Sequence, residues 1–265
     1  VIYPIQMGWQ WGGGWLSTAG FSDFAGSTLV HAAGGAAALA GAIILGPRLG
    51  RFDNGKLVPF ASSSIPLATL GTFILWFGWF GFNGGSQLAL AGFENSTAVA
   101  TIYINTNLAA CAGVMTCAAV TRLINGKTDV IMMLNGALGG LVAITAEPLT
   151  PSPFMAIIIG AIGGIVVIVG TNLLAKLKID DVVGAIPVHL FAGIWGTLAV
   201  PLTNSGTTFG AQLLGTSSII VFVFIVSAIV WLIMNATIGI RLSDEAQKEG
   251  TDIVETGVTA YAIRD

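Results

Sequence analysis

Charge is what this chain has least of. Lys, Arg, Asp and Glu together make up 9% of its 265 residues, where average soluble domains carry about a quarter. A water-soluble globular fold is all but excluded, because apolar surface on this scale cannot be hidden inside one 27.2 kDa core. With ten Lys and Arg and a net charge of −3, a nucleic-acid binder is disfavoured too. Cysteine is limited to Cys111 and Cys117 in one apolar run. Their spacing matches no zinc or redox motif, and both read as small buried hydrophobes. The first residues, from Val1, lack a basic region followed by an apolar core, so no signal peptide is visible.

Apolar length is what the chain has in excess: 54% of it is hydrophobic, with a mean hydropathy of +0.86. A bilayer-spanning helix needs about 20 mostly apolar residues. Seven segments qualify: 24–46, 65–86, 96–121, 129–147, 153–175, 182–202 and 212–240. The turn chemistry sits between them, as at Pro47, Asp53-Asn54-Gly55, Asn125-Gly126 and Asn204-Ser205-Gly206. The expectation is an all-α membrane protein, with a transmembrane domain over 1–240 and a tail over 241–265. The basic residues test this count. Arg48, Arg51 and Lys56 follow the first span, Arg122 and Lys127 the third, and Lys176 and Lys178 the fifth; Arg241, Lys248 and Arg264 lie in the tail. All fall on one side of an alternating topology. The positive-inside rule then makes the tail cytoplasmic and the amino end external, and the plasma membrane is the expected location.

The only two histidines fall inside expected spans and share a context, D-x2-G-x3-V-H. It reads Asp23, Gly26, Val30, His31 at the first and Asp181, Gly184, Val188, His189 at the second, with Gly35 and Gly193 four residues beyond. The first and sixth spans run in opposite directions, so the match implies an inverted-topology repeat. Its period is five helices, which leads to the expectation of four further helices upstream. Each His lies eight residues past its Asp, ~12 Å along a helix and close to the middle of a ~30 Å hydrocarbon core.

A polar side chain at that depth is a functional candidate. Imidazole can be neutral near physiological pH and still donate and accept hydrogen bonds. Two adjacent imidazoles can pass a proton or contact a small polar solute; either one alone fits a plain helix–helix hydrogen bond. No metal site is expected, since one would want three or four ligands. An enzyme is not expected either, because no nucleophile–base constellation accompanies the histidines. Asp181 reads as a helix cap. Asp23 is open between a cap and support for a cation near the Trp9, Trp11 and Trp15 cluster, whose rings fit either interfacial anchors or a cation–π surface. Phe82 and Ser86, at the end of the second span, fit either a lipid-facing edge or a narrow pore mouth. Gly136/Gly140 and Gly160/Gly164 read as helix-packing pairs. Pro187 is expected to loosen the backbone beside His189.

These residues resemble a known family. The W-G-G-G run from Trp11, D-F-A-G from Asp23 with His31, G-W-F-G-F-N from Gly78 with Ser86, and Asp180-Asp181 leading to His189 are similar, in order along the whole chain, to the ammonium transporter (Amt/Mep/Rh) family. The resemblance implies a remnant of an eleven-helix fold, two inverted five-helix units plus a last long helix (5+5+1), assembled as a homotrimer in the lipid bilayer. It implies an ammonium-recruitment site at Trp11, Asp23 and Ser86, a pore gate at Phe82, a wall at Trp79, and a twin-histidine conduit for ammonia at His31 and His189. No cofactor is implied. Gly184, Pro187 and Leu190 depart from the family's V-F-G-V-H-G pattern. The tail, Gly250-Thr251-Asp252 through Gly257-Val258 to Ala260-Tyr261, departs from the ending that couples relatives to PII-type regulators. An ammonium sensor on the same scaffold is the alternative to a transporter.

Overall fold

The computed structural model describes residues 1–260; Tyr261 and Arg264, both counted above with the tail, lie outside the described residues. The chain begins with two short helices, α1 (Ile2–Gly8) and α2 (Trp15–Thr18), in the stretch expected to be an external connection. Helix α3 (Ser27–Leu45) follows. A small hairpin pairs β1 (Phe52–Asp53) with β2 (Lys56–Leu57) around the Asn54-Gly55 turn. Then come α4 (Ile65–Gly85), α5 (Phe93–Asn125), α6 (Val130–Thr145), α7 (Pro153–Lys176), α8 (Ile186–Leu202) and α9 (Phe209–Thr237). Two short helices, α10 (Asp244–Glu249) and α11 (Thr251–Thr256), form the described tail.

Among the described residues, five helices are long and apolar enough to cross a membrane: α3, α4, α5, α7 and α9. Helices α6 and α8 are apolar but shorter, and stand where the fourth and sixth spans were expected. For α8 the length follows from its cap. Residues 183–186 wrap their amides around the Asp181 carboxylate, so α8 starts later than the apolar run does. The starts of α4, α6, α7 and α9 follow ordinary capping chemistry. Ser64, Asp129, Ser152 and Thr208 each accept the amide three residues on.

Helices α5, α6 and α7 meet backbone to backbone. A methyl group built on Gly136 would lie 2.6 Å from the Gly113 carbonyl, and one on Gly164 2.8 Å from the same oxygen. Methyls on Gly140 and Gly160 would both run into the Ala109 carbonyl. Such small-residue seams give van der Waals contact where lipid tails offer no hydrophobic driving force between helices. Toward the outside, α4 presents Phe73, Ile74 and Phe77, which are 60%, 62% and 79% exposed. That surface suits hydrocarbon, not water.

A histidine pair between two interrupted helices

Each histidine sits in a helix that opens with a π-helical turn, Ser27–Ala32 in α3 and Ile186–Phe191 in α8. Such wide turns are rare and frequent at functional sites. The repeated motif explains both. Asp23 Oδ1 accepts the amides of Gly26 and Ser27 at 3.0 and 2.9 Å, and Oδ2 those of Thr28 and Leu29 at 2.8 Å each. Asp181 Oδ1 accepts Gly184 and Ala185 at 3.0 and 3.1 Å, and Oδ2 accepts Ile186 at 2.7 Å. Gathering several amides around one carboxylate needs a left-handed residue, and it is glycine both times, Gly26 at φ 112° and Gly184 at φ 81°. Pro187 lies in only one of the two turns, so proline is not their common cause. Asp23 thus has the capping geometry expected of Asp181, and all the bonds described at its buried carboxylate go to backbone amides.

The glycine four residues beyond each histidine lets the two turns meet. A methyl on Gly35 would strike the Leu190 backbone amide at 2.5 Å, and one on Gly193 the Ser27 carbonyl at 2.5 Å. Ser27 precedes His31, whereas Gly193 follows His189, so the segments pass one another with opposed chain directions. At the crossing, His31 Nδ1 and His189 Nδ1 are 3.2 Å apart, with ring planes within 19°. Like nitrogens can share only one proton. One neutral ring therefore carries Nδ1–H and the other Nε2–H. His31 Nε2 is buried and, among the described residues, has no hydrogen-bond partner. A cavity of about 220 Å³ is lined by both histidines with Val30, Gly34 and Ala38. A second, of about 320 Å³, is lined by His189 with Ser62, Thr72 and Asn135.

Helix α4 adds the aromatic wall. The Trp79 ring lies nearly parallel to His31, 18° off and 4.9 Å between centroids. Phe82 leans on both, 5.3 Å from His31 and 5.8 Å from Trp79. Four of the residues expected at the site, His31, His189, Trp79 and Phe82, are therefore together. Trp11 and Asp23 form a second group, the indole N–H donating to the Asp23 backbone carbonyl at 2.8 Å. Ser86 donates to the Phe82 carbonyl at 2.9 Å; among the described residues no hydrogen bond joins it to Trp11 or Asp23.

Sequence reasoning missed the polar groups that hold this site. Gln6, in α1, donates to the Leu29 carbonyl inside the first π turn. Ser27 donates to the Val142 carbonyl. The Thr28 hydroxyl lies 2.7 Å from that of Thr197 and 3.2 Å from that of Thr216. Their one visible signal was a polar letter in an otherwise apolar segment.

The basic face carries an ion cluster beside Asp181. Arg48 Nε donates to Asp180 Oδ2 at 2.7 Å and Nη2 to Oδ1 at 2.9 Å, while Arg51 Nε reaches Oδ1 at 3.1 Å. Burial pushes the Asp180 carboxyl up, but the hydrogen bonds and charges of the two arginines outweigh it and hold it below the usual carboxylate range. Arg241, past the end of α9, donates to the carbonyls of Leu45 and Pro47 at 2.8 and 2.7 Å. Gln247 accepts the Leu49 amide at 3.1 Å. The tail is thereby fastened to the end of the helix that carries His31.

Apolar helices of bilayer length around an aromatic-walled histidine pair are the architecture of a multi-pass membrane protein. The model of the Ammonium Transporter Family matches residues 1–261, and the chain belongs to that family. It is similar to a putative ammonium transporter of Synechocystis, at 45% identity over 99% of this chain and 60% of that protein. It is also similar to the ammonium transporter Amt2 of Archaeoglobus fulgidus, at 44% identity over 98% of this chain and 62% of that protein. Among solved structures it resembles a sensor Amt protein, with a TM-score of 0.91 and 36% identity over 97% of this chain and 67% of that one. Mep2 of Candida albicans follows the same path, with a TM-score of 0.83 and 28% identity over 99% of this chain and 64% of that one. The chain spans about three-fifths of the length of these curated relatives.

Proposed function

We propose that the chain carries the conduit of an ammonium transporter. The observation that supports this most is the histidine pair itself: two imidazoles joined through Nδ1, one with a buried Nε2 that has no partner among the described residues, beside a cavity. In this reading ammonium is recruited near Trp11, Asp23 and Ser86, loses its proton there or at the histidines, and passes Phe82 and Trp79 as ammonia. A bare cation at the midplane would pay several kcal/mol without a countercharge, whereas ammonia exchanges one hydrogen bond for another at a neutral imidazole. Asp23 contributes by holding the first π turn, and Asp181 by holding the second. The reading includes seven spans, α3 to α9, an inverted repeat relating the Asp23–His31 and Asp181–His189 segments, an external amino end and a cytoplasmic tail. It includes a homotrimer in the plasma membrane, and a tail available to a PII-type regulator.

Reconstitution tests it. Ammonium-driven flux or current into liposomes should appear with the native protein, and should change in rate or selectivity with His31→Ala or His189→Ala. Unchanged values would remove the histidines from the mechanism. A sensor is the second reading, favoured by the likeness to a sensor Amt protein and by the Arg241 and Gln247 contacts that tie the tail to α3. Ammonium binding with no flux would select it.

A further inference from the structure

One buried network beside the histidines is not used by this mechanism. The Thr145 hydroxyl, on the last turn of α6, accepts the Trp79 indole N–H at 2.9 Å and donates to the Leu141 carbonyl one turn back at 2.7 Å. The Leu141 carbonyl and Asn83 Oδ1 compete for its one proton, and whichever takes it a lone pair is left for the indole. Asn83 Oδ1 lies 3.2 Å from the same hydroxyl, and Asn83 Nδ2 donates to Thr106 on α5 at 2.9 Å. Thr145, Asn83 and Thr106 are wholly buried and Trp79 nearly so. An indole N–H in such surroundings is costly to leave unpaired, so the bond fixes how far the ring can turn. That ring is the one lying parallel to His31.

We propose that Thr145 is a positioning residue for the conduit: its hydroxyl holds Trp79 flat against His31, and so keeps His31 in register with His189. Through Trp79, Thr145 narrows the passage to the smallest amine without touching the solute. The selectivity part rests on the ammonium reading above; the positioning part does not.

The chain has only two histidines, so histidine-selective nitrogen-15 labelling reports the pair without crowding. Thr145→Val keeps the shape and removes the hydroxyl, whereas Thr145→Ser keeps the hydroxyl. In the native protein and in Thr145→Ser the ring nitrogens should show the complementary tautomers of a shared Nδ1 proton. In Thr145→Val the His31 signals should shift or broaden toward averaged tautomers. Where the valine variant does not fold, Thr145→Ala carries the same comparison. Reconstituted Thr145→Val should also lose about fivefold in discrimination of ammonium from methylammonium, the scale of one ordinary hydrogen bond, and Thr145→Ser should restore it. Native histidine signals in a folded variant lacking the hydroxyl would overturn the proposal. Absence of ammonium flux in the native protein would instead sink the transport reading, with the tautomer comparison still deciding the role of Thr145.

Discussion

The two aspartates of the repeat do the same job in different surroundings, which makes Asp23→Ala and Asp181→Ala a matched experiment. Asp23 is 1% exposed and holds four amides at 2.8 to 3.0 Å, those of Gly26, Ser27, Thr28 and Leu29. Truncation leaves four donors where water has little access. Each unsatisfied buried donor costs about 1–3 kcal/mol, and allowing for relaxation the total should reach about 4 kcal/mol or more. Asp181 lies at the rim, among exposed Val182 and Val183. Water can replace its carboxylate there, so Asp181→Ala should cost the ordinary cap range of about 0.5–2 kcal/mol. Asp23→Asn should recover part of the loss, since one oxygen still accepts while the new amide group faces other donors. Equilibrium unfolding in mixed micelles, followed by helical circular dichroism, measures all three variants. Costs for Asp23→Ala and Asp181→Ala within about 1 kcal/mol of each other would refute the claim that burial of the cap, not its geometry, sets its worth.

Three further outcomes follow from packing and charge. Gly193→Ala drives a methyl into the Ser27 carbonyl and against Ala32; it should cost about 1–3 kcal/mol as an overpacked contact and part the imidazoles. Gly34→Ala, whose methyl would meet nothing within 4 Å, should leave stability unchanged or slightly raised in the same unfolding assay. The Asp180 carboxyl is held below its ordinary range, so its arginine cluster stabilises the fold above the unfolded value of about 3.9. That contribution is lost as pH falls through the depressed folded value. Melting profiles should show Asp180→Asn less stable at neutral pH and less sensitive to acid below about pH 4.

The apolar skeleton was legible because hydrophobic length speaks plainly. Helices α4 and α7 begin at the expected residues, Ile65 and Pro153, where a proline near the first turn and a serine cap mark the start. Helix α5 runs beyond its expected span at both ends, because Glu94, Asn95 and Arg122 continue a helix without being apolar. The first 22 residues hid α1 and α2, whose lengths are seven and four residues, below what periodicity can register. At the site, His31 and His189 were conspicuous because they are rare letters in a repeated frame. Trp79 and Phe82, three residues apart on one helix face, could be placed near them only through the family resemblance. Thr145 gave no warning. A threonine ending an apolar helix looks the same whether its hydroxyl satisfies its own turn or holds the neighbouring indole.

The like-to-like join of the two imidazoles has one more consequence. A pair bonded Nδ1 to Nδ1 with a single proton between is an arrow, one outer nitrogen able to accept and the other able to give. Sending a proton along it reverses the arrow. A second proton in the same direction must wait until both rings have been rewound by rotation. A proton path built on this joint is a ratcheted turnstile and not an open wire. In the proposed reading, protons relayed through the pair pass singly, at a ceiling set by how fast two crowded rings can be reset.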